Sequence, residues 1–401
     1  MKPADLSESL MQIAKSHLRQ VWVGEDPPLD MPAVNIWGST NFRLSPSHHT
    51  AYDVVWFYEK DPAALAAMQY ELVFDELLRL LGDRGRLIVR YTQNDNFSII
   101  TLKHFLGRRY GIRVDVESES TIDGHLVTVF GVRREDIARY RDKSWTFAVL
   151  TQGKRIDNLV ALFDSIRKRD PGFAHEILVC GPTLPEMQRY RLNYLQREYR
   201  EDFAEISRKK NDIADAAQGA NLCIVHDRYK LDDNYFAGFE QFGYDFDFLT
   251  VPQFYPCGTR FPAYCAFAGG TLNWSTPLDC TDYNSLHATQ YLNGGFLIAK
   301  TQTMRDIRFN DILFWNQAED VELARAYRTR SLPPRVNVFS AAHTMGITPE
   351  YTKAIIPNHS VALAIENRKK DAGRLTQACL QSGRRIEQSL RPYFKKLRRA
   401  S

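Results

Sequence analysis

Along residues 1–143 the apolar positions follow two alternating periods. YDVVWFYEK (52–60) and GRLIVRYT (85–92) are short, nearly continuous apolar runs, the pattern of strands covered on both faces. Between them, DPAALAAMQYELVFDELLRLLG (61–82) spaces its apolar residues three and four apart and predicts a helix; FSIITLKHFLGRRYG (97–111) repeats that period. IRVDVES (112–118) and HLVTVFGVRR (125–134) predict two further strands. Strand, helix, strand, helix, strand is the order of an α/β layer. A second series begins at Ser144. SWTFAVLTQ (144–152) reads as a strand. RIDNLVALFDSIRKRD (155–170) reads as a helix with Ile156, Leu159, Val160, Leu162, Phe163 and Ile166 on one broad face. EILVCGP (176–182), NLCIVHDRY (221–229) and QYLNGGFLIAK (290–300) predict buried strands of a mostly parallel sheet, whose ligands belong at the carboxyl ends. Residues 351–401 read as helical and are basic. The division expected is therefore 1–143, 144–350 and 351–401.

Composition narrows the class. With 401 residues, 44% hydrophobic and 25% charged, the chain is globular and long enough for two domains. No run reaches the roughly 18–20 apolar residues of a membrane-spanning helix. The first twenty residues lack the apolar core of a secretory signal, and six cysteines without CxxC spacing fit reduced thiols. A cytoplasmic protein is expected. His48 and His49 read as polar loop residues. The charge is uneven: from Glu366 onward eleven Lys/Arg face three Asp/Glu, a net of +8, which leaves −4 on the preceding residues. Within that tail Leu390, Tyr393, Phe394 and Leu397 form an apolar stripe flanked by Arg391, Lys395, Lys396, Arg398 and Arg399. Residues 390–399 suit an anionic membrane surface on the inner face of the cytoplasmic membrane, or a helix packed on a neighbouring domain. Nucleic acid is not an expected partner, since no recognition motif accompanies the charge.

Two short segments carry the candidate chemistry. In VHDRY the apolar residues Leu222–Val225 deliver His226, Asp227 and Arg228 to a strand end. An acid there holds a hard divalent cation and through it a diphosphate, with Arg228 as a charge clamp; an isolated Asp also simply caps the next segment of chain. In WNQAEDVELARAYR (315–328), Glu319 and Asp320 open a helix. Two carboxylates there are favoured by the helix dipole, and one reaching into a cleft removes a proton from an acceptor hydroxyl.

In this order VHDRY, NGGFLIAK and the acidic helix start resemble the inverting GT-A glycosyltransferases, family 2 in particular, over about residues 144–345. The resemblance implies a Rossmann-like GT-A domain. It implies a divalent Mn2+ or Mg2+ on Asp227, with His343 as a further ligand, and Asp320 as catalytic base with Glu319 as its partner. Gly294 and Gly295 become the glycine-rich strand of the cleft, and SRKKNDIADAA (207–217) places Lys210 and Asn211 near the nucleotide. The donor it implies is a nucleotide-sugar, UDP-linked by family expectation. The chain departs from the pattern in having one acid in His226-Asp227-Arg228. It also ends its second strand in Cys180-Gly181-Pro182, so that the base contact is expected from backbone groups or from Thr151 and Gln152. Nine aromatic residues in 244–274 pack in the core or line an acceptor site, and Trp315 is the first choice as a sugar platform.

The turn LLGDRGRLIVR and the element order of about residues 50–131 resemble the second half of a class I methyltransferase. The segment upstream, 30–51, has no glycine-rich cofactor loop, so a degenerate, non-catalytic α/β domain is expected. The whole then reads as a metal-dependent inverting glycosyltransferase. It would move sugar from a nucleotide-sugar to a glycan or lipid-linked oligosaccharide in bacterial surface polysaccharide synthesis. The alternatives are a non-catalytic scaffold and a bifunctional methyl- and glycosyltransferase.

Overall fold

A computed structural model gives the fold and describes residues 6–66, 68–200, 204–266, 276–277, 290–314 and 317–350. The basic tail 351–401, Trp315 and most of the aromatic stretch beyond Ala266 lie outside the described residues.

The first sheet holds β1 (Gln20–Val23), β2 (Ala33–Val34), β3 (Tyr52–Phe57), β4 (Leu81–Tyr91), β5 (Ile112–Ile122) and β6 (His125–Arg134), in the order β2-β1-β3-β4-β6-β5. Its first four strands are parallel, and β6 is slotted antiparallel between β4 and β5. The apolar run of β3 explains its central place, because Val54, Val55, Trp56 and Phe57 are all inaccessible to solvent. The helix expected over 61–82 begins only at Gln69. Asp61 instead caps a single tight turn, Pro62–Ala64, and Met68 enters the left-handed region at φ 73° before the helix starts. That helix buries every residue except Tyr70, including Asp75, Glu76 and Arg79. Strands β1 and β2 had no counterpart in the expected elements, since four and two residues are too few to establish a period. The turn after β1 is closed by the chain itself. Glu59 Oε2 accepts from the Trp22 indole at 2.9 Å and from the Glu25 and Asp26 amides at 2.8 and 3.1 Å.

The later strands are β7 (Trp145–Leu150), β8 (Glu176–Cys180), β9 (Asn193–Tyr194), β10 (Asn221–His226), β11 (Tyr229–Leu231), β12 (Phe248–Thr250) and β13 (Gln253–Phe254). They continue as β14 (Arg260–Phe261), β15 (Tyr264–Ala266), β16 (Thr276–Pro277), β17 (Gln290–Leu292), β18 (Phe296–Lys300), β19 (Arg335–Val336) and β20 (Ala342–Thr344). Seven of them form the second sheet in the order β19-β12-β18-β10-β7-β8-β9, parallel throughout except for β18. The helix Ile156–Arg167 covers it with Leu159, Leu162, Phe163 and Ile166, most of the face expected from the sequence. Small sheets β11-β20-β13-β14 and β16-β15-β17 flank it. Of the aromatic stretch, Tyr244, Phe246, Phe248, Tyr255, Phe261 and Tyr264 are buried in the core rather than displayed.

The two sheets are tied by buried charge. Asp75 accepts from Arg79, Arg109 and Arg335; Asp245 from Arg79 and Arg134; Asp247 from Arg79, Arg109 and the Tyr140 hydroxyl. Among the described residues no helix is long and apolar enough to cross a membrane.

Candidate active site

Three segments meet at the carboxyl edge of the second sheet. β10 is apolar and fully inaccessible from Leu222 to Val225, and its polar end, His226-Asp227, falls at the edge of the sheet. β18 runs antiparallel beside it with Val225 opposite Phe296, which sets Gly294-Gly295 next to that end. The His226 amide donates to Gly295 O at 3.0 Å. The helix Glu319–Thr329 approaches the same turn from the other side, and the Gly294 amide donates to Asp320 Oδ2 at 2.9 Å. Asp227 and Asp320, remote in sequence, thus flank one two-residue turn.

The turn is packed closely against the acidic helix. A Cβ on Gly294 would lie 3.0 Å from both Glu319 Oε1 and Lys210 Nζ, and 3.1 Å from Asp320 Cβ. Lys210, inaccessible on the helix Ile206–Ala216, donates from Nζ to Gly294 O at 2.9 Å and to Glu319 Oε1 at 3.0 Å. The acidic helix starts from Ala318 in the left-handed region at φ 59°, a conformation that costs a non-glycine residue about 1 kcal/mol.

The two acids have different surroundings. Burial pushes the Asp320 carboxyl up to about 7, and the neighbouring Glu319 carboxylate adds to the rise. Lys210 and the amides of Gly294 and Val321 act in the opposite direction. Such a group holds its proton below neutrality and accepts one near it, as a general base requires. Asp227 is engaged on both oxygens: Oδ2 accepts from Thr151 Oγ1 at 2.8 Å and Oδ1 from Arg155 Nη1 at 2.7 Å. Burial, followed by the cations of Lys210, Arg228 and Arg155, pushes the His226 imidazole down to about 3 and keeps it neutral. His226 Nε2 and Arg228 Nε are both buried without a hydrogen-bond partner.

The donor set does not fit the divalent ion expected on Asp227 and His343. A hard cation gathers several oxygens, and here a single carboxylate already serves a guanidinium and a hydroxyl. Among the described residues no group of three or more His, Cys, Asp and Glu side chains is placed to hold a metal. His343 points elsewhere: its Nε2 meets Asp232 Oδ2 at 2.6 Å, in a groove shared with Asp164 and Lys168. Asp164 lies in the last turn, and Lys168 at the C-cap, of the helix that Arg155 precedes, and the nine steps from Arg155 to Asp164 rise about 14 Å.

The remaining expected residues divide. Lys210, Glu319, Gly294 and Gly295 join Asp320. Asn211 is turned to structure: its amide donates to Phe309 O and accepts from Phe309 N, both at 2.9 Å, fastening the chain before the acidic helix. Thr151 holds Asp227, and Gln152 is exposed with no bond assigned to it. Arg155 was not among the expected residues. Its signal was the basic loop TQGKR after β7, but its partner lies 72 residues away.

No protein-family model matches the chain, and neither does any curated protein. Solved structures overlap it in part. Staphylococcus aureus TarS superposes at TM-score 0.34 and 18% identity over 53% of this chain and 38% of TarS. GalNAc-T7, crystallised with UDP, GalNAc and Mn2+, gives TM-score 0.38 and 12% identity over 51% of this chain and 44% of its own. A Drosophila beta-1,4-galactosyltransferase 7 mutant with manganese, UDP-Gal and xylobiose gives 0.31 and 12% over 48% and 65%. The chain therefore spans less than two thirds of these proteins. At such scores the overlaps decide nothing about chemistry.

Proposed function

We propose that the chain is an inverting glycosyltransferase of GT-A type that takes a sugar from a nucleotide-sugar donor. The observation that carries this reading is the meeting of Asp320, poised near neutrality, with the Asp227 strand end across the Gly294-Gly295 turn. Asp320 Oδ1 and Oδ2 each accept one backbone amide, from Val321 and Gly294, both at 2.9 Å. Those bonds fix the carboxylate plane while leaving lone pairs for an acceptor hydroxyl. As the acceptor oxygen bonds to the anomeric carbon, its proton passes to Asp320. The bond from that carbon to the diphosphate breaks on the opposite face, and its electron pair stays on the diphosphate oxygen. Lys210 keeps the Glu319 charge paired beside the base, so that Asp320 titrates near neutrality instead of higher still.

Uridine as the base, a glycan or lipid-linked acceptor in surface polysaccharide synthesis, and a cytoplasmic site at the membrane face rest on the family resemblance alone. The first sheet, with its antiparallel strand between two parallel ones, supports a methyltransferase-like ancestry. Glu59 fills the turn after β1, where a cofactor would be received, which supports a docking role for that layer over a second catalytic one. Incubating full-length protein with a panel of nucleotide-sugars and reading nucleoside diphosphate release tests the proposal. Release from at least one donor is expected, reduced about 10²–10⁴-fold in Asp320→Asn. Equal release by that variant would remove Asp320 from the chemistry.

A further inference from the structure

We propose that Arg155 and Arg228, in place of a divalent cation, hold the donor's diphosphate, with Asp227 a positioning residue that aims the Arg155 guanidinium. This rests on the sugar-transfer reading above. The Asp227 side chain is 6% exposed and that of Arg155 is 53% exposed, so the carboxylate anchors the guanidinium from below while its other N–H groups reach solvent at the sheet edge. Thr151 fixes the second oxygen of the same carboxylate, and its own hydroxyl oxygen accepts from the Gly153 amide at 2.9 Å, which turns its proton toward Asp227. A divalent ion at this place would have to displace Arg155 and would then find one protein carboxylate.

On the next residue, Arg228 has a buried Nε–H without an acceptor, while its backbone carbonyl is pinned by the Met345 amide at 2.7 Å. Paired guanidinium donors match phosphate oxygens in geometry and charge. In the transfer step the carbon–oxygen bond to the diphosphate breaks, the electron pair remains on the departing oxygen, and the acceptor proton goes to Asp320. The negative charge that grows on the diphosphate is met by two cations already in place.

Calorimetric titration of full-length protein with each common nucleoside diphosphate, in excess EDTA and again in millimolar Mn2+, tests this. At least one should bind with the same affinity in both. Arg155→Met, half-exposed and so tolerable to the fold, should weaken binding at least tenfold in both buffers. Asp227→Asn should weaken it less and create no metal dependence, and Arg155→Lys should recover part of the loss. Binding only with Mn2+, abolished by Asp227→Asn and indifferent to Arg155→Met, would overturn the inference and leave sugar transfer standing. No binding of any nucleoside diphosphate in either buffer would overturn both.

Discussion

Asp320 accepts two backbone amides and still titrates near neutrality, because burial and the Glu319 charge outweigh them. A base must be deprotonated to act, so kcat/KM should rise with pH and level off above about 7. Lys210 is the cation that lowers this value, so Lys210→Met should displace the rising limb to higher pH, read from kcat/KM profiles of the two proteins; an unmoved limb would detach Lys210 from the base. VHDRY and the acidic pair made the places of Asp227 at a strand end and of Asp320 at a helix start legible in the sequence, since each borders a periodic apolar run. The roles of Arg155 and His343 were not legible. A guanidinium that reaches a carboxylate 72 residues away leaves no periodic trace, and a histidine's partner is chosen by strand register, here Lys230 opposite His343.

At the scale of elements, the site is a turn between an antiparallel strand and a helix start, and its tolerance is small. Gly294→Ala would drive a methyl against Glu319 Oε1 and Lys210 Nζ, each 3.0 Å from where it would sit. Turnover should fall about 10²-fold through misplacement of the acidic helix. The thermal midpoint should move by only a few degrees, because the surrounding strands keep their bonds; wild-type turnover in this variant would mean the close approach has no catalytic role. Long runs such as β3, β7 and β10 and the helix at Ile156 were readable because burial imposes a period over several residues. β1 and β2 were not, nor was the late start of the helix at Gln69, which depends on a local cap at Asp61 and the backbone turn at Met68.

Over the whole molecule, the two layers are joined by shared buried charge. Asp245 and Asp247, which alternate with aromatic residues in YDFDF, carry nothing in sequence that marks them as anchors. In the fold they receive Arg79, Arg109 and Arg134 from the first layer. Removing one partner strands buried charge, so Asp245→Ala should cost about 3–5 kcal/mol in urea unfolding, with both layers lost in a single transition. Separate transitions in the wild type would contradict the shared network. That lock holds β12, which pairs with β18 beside the glycine turn, and β19 on the far side of β12. The central claim, sugar transfer with Asp320 as base, is tested most directly by following nucleoside diphosphate release and anomeric configuration with the donor that reacts. The account predicts an inverted product whose formation collapses in Asp320→Asn while donor affinity is kept; a retained anomer, or undiminished turnover in that variant, would contradict it.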